Sequence, residues 1–450
     1  MGTKFKKFLL IITSAFLLTL ISGAASLWAQ DLPLVTMKEC IEKGLKNDPS
    51  IVRSEANLTY AKNNIWGSYG SFLPSVSVSW GYNWNSRPSQ VDIIEEQEGD
   101  SVVARPVYSN SSYGSGLSIS QNLFNGFSDY FTWRANKQSQ KSSEMSLDAQ
   151  VLTTVYNLKT SYFNVLKTMK LADVQKKALE RSDEQLRITE TRYELGSAAL
   201  SDVLKAKVSN GEAKLNLISA ENNFKVAMAQ LNQLMGEDIT RQYRVDSTVS
   251  AKDVDYTMQS SIDYAMEYNP ELKSYEYAMN SSKNGVKSAW GGFLPSVDFS
   301  WRASWYQPKD FEFGGIFRDN RSHSYSISVG FNIFDRFATK RQISNAKASY
   351  NTDKFNYYNF INGLQLQVTE SYLNYEKAML SKDVSDDKLA SAQEDYKLAQ
   401  EKYSLGAATI LDLLDAEVSL KTAENDVIES EYNLNLAIAD LEQAMGKSNY

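Results

Sequence analysis

The chain has 450 residues but a single cysteine and a single histidine. One thiol excludes a disulfide framework, and so little Cys and His argues strongly against a zinc centre. With only 8 prolines and 22 glycines, neither a disordered chain nor a loop-rich all-β fold fits. Basic residues are not in excess. The formal charge of -7 offers no basic footprint for nucleic acid. Past residue 30 no apolar run is long enough to cross a bilayer as a helix. His323 stands beside Arg321 with no acid–base set around it, and Cys40 reads as a small, buried or half-buried helix residue rather than a reactive thiol. No enzyme activity, metal site or cofactor is expected.

What is present begins at the N-terminus. Lys4, Lys6 and Lys7 precede an apolar run from Phe8 to Ile21, and small residues follow. This is the head, core and cleavage region of a secretory signal, and it is too short for a membrane anchor. Residues 1–29 are therefore expected to be a signal peptide cleaved after Ala29, with Ala25 as the alternative.

The rest is written twice. "SFLPSVSVSW" at Ser71 returns as "GFLPSVDFSW" at Gly292. One constant offset pairs Phe72 with Phe293, Pro49 with Pro270 and Met37 with Met258. Further on, "SISQNLFNGF" at Ser118 matches "SISVGFNIFDRF" at Ser326. A smaller offset then pairs Phe124 with Phe334, Tyr193 with Tyr403, Gly196 with Gly406 and Met235 with Met445. Such self-similarity marks a tandem duplication. The length difference falls between Trp84 and Ser118, where an exposed loop is expected. The expected map is a first repeat over 30–236, a linker over 237–257 and a second repeat over 258–450.

Each repeat carries two segments that alternate with period two, about 72–84 and 113–124, then 293–305 and 323–334. In the first, Val76, Val78, Trp80, Tyr82 and Trp84 share a face, against Ser75, Ser77, Ser79, Gly81 and Asn83. In the last, Tyr325, Ile327, Val329, Phe331 and Ile333 oppose Ser324, Ser326, Ser328, Gly330 and Asn332. Alternation of this kind gives a sheet with one apolar and one wet face. An ordinary soluble sheet is one reading. Strand length, aromatics near strand ends and small polar residues on the wet face favour a membrane barrel. Four strands are too few to close one, and an open edge cannot face lipid. Several chains must share the barrel; the physics allows two, three or four.

The remainder is helical. Segments of about 128–194 and 338–404 hold no proline and almost no glycine, and each would be roughly 100 Å long as a helix. Second helices are expected over 198–236 and 408–446. Leu158, Val165, Ala172, Leu179, Leu186 and Tyr193 recur every seven residues, as do Leu204, Gly211 and Ile218. These are coiled-coil spacings. Antiparallel pairs lining an aqueous tube fit them, and so does a compact four-helix bundle. The breaks are copies too: "RYELGSAALSDVLKA" at Arg192 and "KYSLGAATILDLLDA" at Lys402. Gly196 and Gly406 would end one helix, and Thr409 with Asp412 fits a capping box for the next. Asp415 is left over. The first break offers Asp202 and Lys205 where the second offers Asp412 and Asp415. In a symmetric oligomer those acids would stack as carboxylate rings, a cation-selective constriction.

The "FLPS" entries, the "LFNGF" and "IFDRF" exits and both "LG" breaks together resemble the TolC-type outer-membrane efflux family over the whole mature chain. The resemblance implies a homotrimer with a mixed membrane β-barrel and α-helical barrel. Four strands per chain would share a twelve-stranded barrel, the coiled-coil helices would form a periplasmic tunnel, and the 237–257 linker would sit in an equatorial collar. It implies the exit duct of a tripartite efflux or type I secretion system, in the outer membrane of a Gram-negative-type bacterium. Its partners would be outer-membrane lipid, a periplasmic adaptor and an inner-membrane pump. Asp412 and Asp415 match the family's aperture acids. Tyr403 and Asp202 match residues that tie the helix pairs in the closed state. The family's prototype has an arginine where Ala408 stands, so one tie is missing here. Leu195, Gly196, Ser197, Leu405, Gly406 and Ala407 match the adaptor-docking tips. Gly70, Phe72, Pro74, Gly291, Phe293, Pro295, Asn125 and Asp335 would form the junction of barrel and tunnel. A self-standing diffusion porin and a periplasmic coiled-coil scaffold are the rival readings.

Overall fold

The computed structural model describes residues 33–84, 91–98, 101–108, 111–247, 256–307 and 321–447. The expected signal peptide, 1–29, lies outside them. In chain order the elements are β1 (Leu34–Val35), α1 (Met37–Asn47), α2 (Pro49–Gly70), β2 (Ser75–Trp84), β3 (Val91–Glu98), β4 (Ser101–Tyr108) and β5 (Ser111–Asn125). Then come α3 (Ser128–Glu194), α4 (Leu200–Met235), β6 (Arg244–Val245), α5 (Met258–Tyr268) and α6 (Pro270–Trp290). A 3-10 turn at Gly291–Phe293 leads into β7 (Ser296–Gln307), β8 (Arg321–Gly330), α7 (Ala338–Ser404) and α8 (Ile410–Met445). Contacts divide the chain into a strand-bearing unit, Ser50–Gln150 with Asp263–Gln367, and a helical unit made of the rest.

In the strand-bearing unit, β2, β5, β7 and β8 form one antiparallel sheet in that order. Its register keeps like against like. Val76 opposes Ile119, Val78 opposes Leu117, and Tyr82 opposes Tyr113 with ring centroids 4.9 Å apart. On the other face the Ser75–Ser120 and Ser77–Ser118 hydroxyls meet at 2.7 Å. A one-residue slip would reverse every such pair, so the pattern fixes the register. The hairpin β7–β8 repeats β2–β5 residue for residue: Ser75 pairs with Ser120 as Ser296 pairs with Gly330. The smaller offset therefore holds throughout β5 and β8, and the "SIS" likeness of Ser118 with Ser326 is displaced by two residues from the structural match.

Several expected boundaries shift for identifiable reasons. The first strand starts at Ser75, not residue 72, because Pro74 has no N–H and Phe72 and Leu73 donate to Tyr69 and Gly70 carbonyls in a turn. The third starts at Ser296, after the 3-10 turn. The fourth stops at Gly330 instead of 334, at the last residue for which β7 supplies a partner. The expected loop between Trp84 and Ser118 contains a second antiparallel hairpin, β3–β4, with Ile93 opposite Pro106.

Strand gives way to helix through two left-handed residues, Gly126 and Phe127 in one half and Arg336 and Phe337 in the other. Asn125 Oδ1 and Asp335 Oδ2 accept the backbone N–H of Asp129 (3.3 Å) and Thr339 (2.7 Å), and so cap α3 and α7. The bend folds Phe124 edge-on to Phe127 and Phe334 edge-on to Phe337. Below it α3 and α6 approach through small side chains: Ser128 with Ser288 at 2.9 Å, Ser146 with Ser274 at 2.7 Å.

The helical unit has its own core. Leu158, Tyr162, Val165 and Leu166 of α3 pack with Leu231 and Met235 of α4, and with Cys40 and Ile41 of α1. Thr36 and Glu39 form a capping box that starts α1. The Tyr162 hydroxyl donates to the carbonyls of Asp246 (2.9 Å) and Val35 (3.3 Å), bracing the parallel β1–β6 pair. The 237–257 linker thus meets the start of the chain through β6; its residues 248–255 lie outside the described set. The seven-residue rows are not the ones that pack within the chain. Over the first turns of α4 the buried residues are Val203, Ala206 and Asn210, whereas Leu204 and Ile218 are exposed. On α3 the row is buried at Leu158 and Val165 but emerges by Tyr193. The helices use a neighbouring face for contacts within the chain.

Gly126 carries the tightest backbone approach. A Cβ there would lie 2.4 Å from the Gly291 carbonyl oxygen, at φ +67. Gly126→Ala should therefore cost roughly 1–3 kcal/mol. Gly196→Ala, where φ is +76 but nothing lies within 4 Å, should cost only the left-handed strain, about 1–2 kcal/mol. Denaturant titration of the detergent-solubilised protein would compare them, and equal costs would dismiss the close approach as a constraint.

Candidate functional site

The candidate site is where α3 turns into α4 and α7 into α8, in the helical unit. Both turns use the same device. Gly196 (φ 76) and Gly406 (φ 73) take the left-handed position. The Ser197 and Ala407 amides donate back to the Arg192 and Lys402 carbonyls, each at 2.8 Å. A Schellman end of this kind presents the residue before the glycine to solvent. Leu195 and Leu405 are accordingly 78% and 84% exposed.

The two restarts differ. Helices α4 and α8 begin at Leu200 and Ile410, two residues later than expected. Before α8, Thr409 accepts from the Asp412 amide (3.3 Å), and Asp412 Oδ2 accepts from Thr409 N (2.8 Å) and Oγ1 (2.7 Å). These bonds, the Thr409 hydroxyl first, hold the Asp412 carboxyl below its ordinary value, with Lys402 adding a smaller pull. A depressed acid stabilises the fold above its unfolded value of 3.8 and loses that effect as pH falls through the lowered one. Before α4 the capping position is Ala199, with no side-chain acceptor. Asp202, half-buried, accepts only a long bond from Ser201 (3.4 Å) in its place. Asp415 lies one turn beyond Asp412, exposed, on the same helix.

Tyr403 is buried with Ala206, Ile410 and Leu413. What grips it is Arg192, whose guanidinium donates to the Tyr403 carbonyl (3.1 Å) and the Ser404 carbonyl (2.9 Å). The same group lies 4.8 Å over the Tyr403 ring. A cation on the last carbonyls of a helix is favourable against its dipole, and the ring face adds to it. Arg192 thus fastens the end of α3 to the end of α7. The sequence held Arg192 in plain view, but nothing local to it pointed to a partner two hundred residues away.

A second charged group was also missed. Arg181 of α3 holds Glu424 of α8 with two bonds (3.0 and 3.4 Å) and reaches Glu417 at 4.0 Å. Burial pushes the Glu417 carboxyl above its ordinary value, and Arg181 opposes the shift. The only legible signal was a spacing of one heptad between the two glutamates. The junction residues, by contrast, fall in the other unit. Gly70 closes α2, and Phe72 and Phe293 lie in turns before Pro74 and Pro295. Gly291 does not end its helix in a left-handed residue: at φ -56 it continues into the 3-10 turn.

A duplicated chain with long up-and-down strands, bare sheet edges and paired helices ending in twin glycine turns is built like a membrane channel component. A family description, "Outer membrane efflux protein", matches once over each half, residues 40–237 and 261–447. The chain belongs to that family. The outer membrane efflux protein BepC of Brucella suis is 22% identical over 447 residues, 99% of this chain and 92% of the relative. Outer membrane protein TolC of Escherichia coli is 22% identical over 424 residues, 90% and 80% of the two chains. Among solved structures, the Campylobacter jejuni CmeC outer membrane channel matches with a TM-score of 0.78 at 18% identity, covering 91% of this chain and 85% of that one. The open state of the Neisseria gonorrhoeae MtrE channel matches at 0.74, with 18% identity and coverage of 91% and 89%.

Arg192→Ala should lower amide protection at Gly406 and Ala407 about tenfold if the contact is worth about 1.4 kcal/mol; hydrogen exchange would read it, with Arg192→Lys intermediate. At neutral pH Glu417→Gln should leave the protein as stable or more so. Arg181→Ala, which strands Glu417 and Glu424 together, should cost roughly 1.5–3 kcal/mol. Thermal melts of the two variants give the comparison, and the reverse order would sink the assignment.

Proposed function

We propose that this chain is the outer-membrane exit duct of a tripartite efflux or secretion system, assembled as a homotrimer. The observation that carries it is the sheet. Its apolar face is exposed, with Val78 79% and Ile327 70% exposed, and β2 and β8 each have one edge without a strand partner among the described residues. Such a surface is stable in lipid only when the edges are closed by further copies. Family membership supports the same reading. Three copies would supply the twelve strands, with the small serine, glycine and asparagine side chains lining a wet lumen. Residues 1–29 would direct export.

The turns at Gly196 and Gly406 would be the periplasmic end. Leu195, Gly196, Ser197, Leu405, Gly406 and Ala407 would meet an adaptor protein, which in turn would link to an inner-membrane pump. An apolar knob on a rigid glycine turn suits insertion into a partner's groove. Asp412 and Asp415 would ring the aperture. Opening would swing the α7–α8 hairpin away from α3, which requires Arg192 to release the Tyr403 and Ser404 carbonyls. With Ala408 unable to supply a tie, Arg192 would be the fastening that gating breaks. Asp202 and Tyr403 would flank it. A self-standing porin would need neither the long helices nor the paired turns.

Asp412→Ala combined with Asp415→Ala should lower cation selectivity in planar bilayers by removing up to six carboxylates from one constriction. The reversal potential under a salt gradient reads this directly, and an unchanged value would refute the ring. Arg192→Ala in the same assay should raise resting conductance.

A further inference from the structure

The four helices that meet the sheet all do so at one end of it, because β2 and β7 begin there and β5 and β8 finish there. The fifteen residues on the helical side of each strand end are 60–74, 126–140, 281–295 and 331–345. Together they hold eight lysines and arginines but only two acids, Asp129 and Asp335. Their charge is +6, in a chain whose formal charge is -7. Thirteen of these sixty residues are aromatic, nearly twice the 12% share of the whole chain. A helix surface turned to water needs neither feature. We propose that this collar binds the headgroup phosphates of anionic phospholipid in the leaflet that it meets, with Arg134, Lys287, Lys340 and Lys347 as the phosphate ligands. This rests on the shared-barrel reading and adds the lipid class and the residues that select it.

Each of these cations is seated on a ring. Lys287 of α6 lies 5.5 Å over Phe131 of α3, and Lys347 of α7 lies 5.5 Å over Trp290 of α6. Arg134 lies 5.9 Å over Tyr130, and Lys340 lies 6.0 Å over Phe337. All four cations are exposed, and among the described residues none of them is in an ion pair. A cation on a ring keeps its charge for an incoming anion, whereas one beside a carboxylate has it cancelled. The stacking also orders a long side chain before the anion arrives, so less freedom is lost on binding.

The rings connect the cations to the apolar face of the sheet. Phe124 opposes Val297, which in turn opposes Val329, so it lies on that face. Phe124 is edge-on to Phe127. Tyr130 and Phe131 follow Phe127 at the three- and four-residue spacings that keep to one side of a helix. In the other half Phe334 is edge-on to Phe337, which carries Lys340. The cations therefore stand below the apolar side of the sheet and not below its wet side. An anionic solute in the lumen would call for cations beneath the serine and glycine face instead. Helices α3 and α7 run away from the sheet, so their side chains lean back towards it. Arg134, Lys340 and Lys347 thus reach up to the level where the apolar surface ends, and Lys287, in the last turn of α6, is there already. A group that sets an anion beside an apolar surface at that level is a phospholipid headgroup.

The test takes the full-length protein, delipidated in detergent, and titrates it with phosphatidylglycerol or with phosphatidylethanolamine of the same acyl chains, read by native mass spectrometry. Phosphatidylglycerol should bind at least about tenfold more tightly, each cation contributing about fivefold, the ordinary effect of one basic residue at an anionic surface. Arg134→Gln, Lys287→Gln, Lys340→Gln and Lys347→Gln together should abolish the preference. The control replaces Lys170, Lys176, Lys214 and Lys225, four exposed lysines of the helical unit, by glutamine and should keep it. Equal affinity for the two lipids, or equal loss in both variants, overturns the proposal. So does tighter binding of lipid A than of phosphatidylglycerol, which would assign the collar to the other leaflet. If the fourfold variant does not fold, a phosphatidylglycerol with a photoreactive headgroup is applied to the unaltered protein. Label should fall within 126–141, 281–295 and 334–347, and label confined to other segments overturns the proposal. A protein that enters vesicles as an oligomer without headgroup preference overturns this proposal alone. One that stays monomeric and outside the vesicles overturns the shared barrel as well.

Discussion

An unpaired backbone N–H or C=O in hydrocarbon costs several kcal/mol, and in the shared-barrel reading proposed above the rest of this molecule is organised around avoiding that cost. A four-stranded sheet has two edges that it cannot close by itself. The chain answers by being written twice, so that each half supplies one hairpin and the halves pair through β5 and β7. Everything beneath the sheet follows from having strands that must come down as helices. The left-handed pairs at Gly126–Phe127 and Arg336–Phe337 make that turn. Asn125 and Asp335 then satisfy the first amides of the helices they start.

In the helical unit the proposed gate makes a different demand, for helical ends that are well formed yet separable. The Schellman turns are rigid and local, as glycine in the left-handed region makes them. The fastening between hairpins is a single guanidinium on two carbonyls and a ring. Such a contact is strong enough to hold and small enough to break, unlike the packed Tyr162 core that braces β1 and β6. In the proposed gating, the part that stays packed and the part that opens are thus separate places within the helical unit.

Much of this was legible in the sequence. Period-two alternation marked the sheet faces of β2 and β8 correctly, because side-chain direction along a strand is fixed by geometry alone. Glycine in the tips and the Thr409–Asp412 box could be read because both are local in sequence. What could not be read depends on distant partners. The end of β8 was misplaced because residues 331–335 have strand character but no partner in their own chain. The β3–β4 hairpin was taken for loop because the length difference between the halves falls there, and an insertion says nothing of the structure it carries. The rows on α4 are exposed within the chain, which packs through Val203, Ala206 and Asn210 instead: the pattern gives the repeat, whereas which stripe meets which neighbour is settled by packing. Arg192 and Arg181 carried no local signal.

The two halves have drifted apart in one respect. Where Gly126 lies against Gly291 with no room for a side chain, the corresponding place in the other half holds Arg336. A ring of single-length chains would have to change every joint at once with each mutation. In the proposed shared barrel a duplicated gene can revise every second joint and leave the others as inherited, so the covalently linked seam and a seam between copies would be free to evolve different tightness.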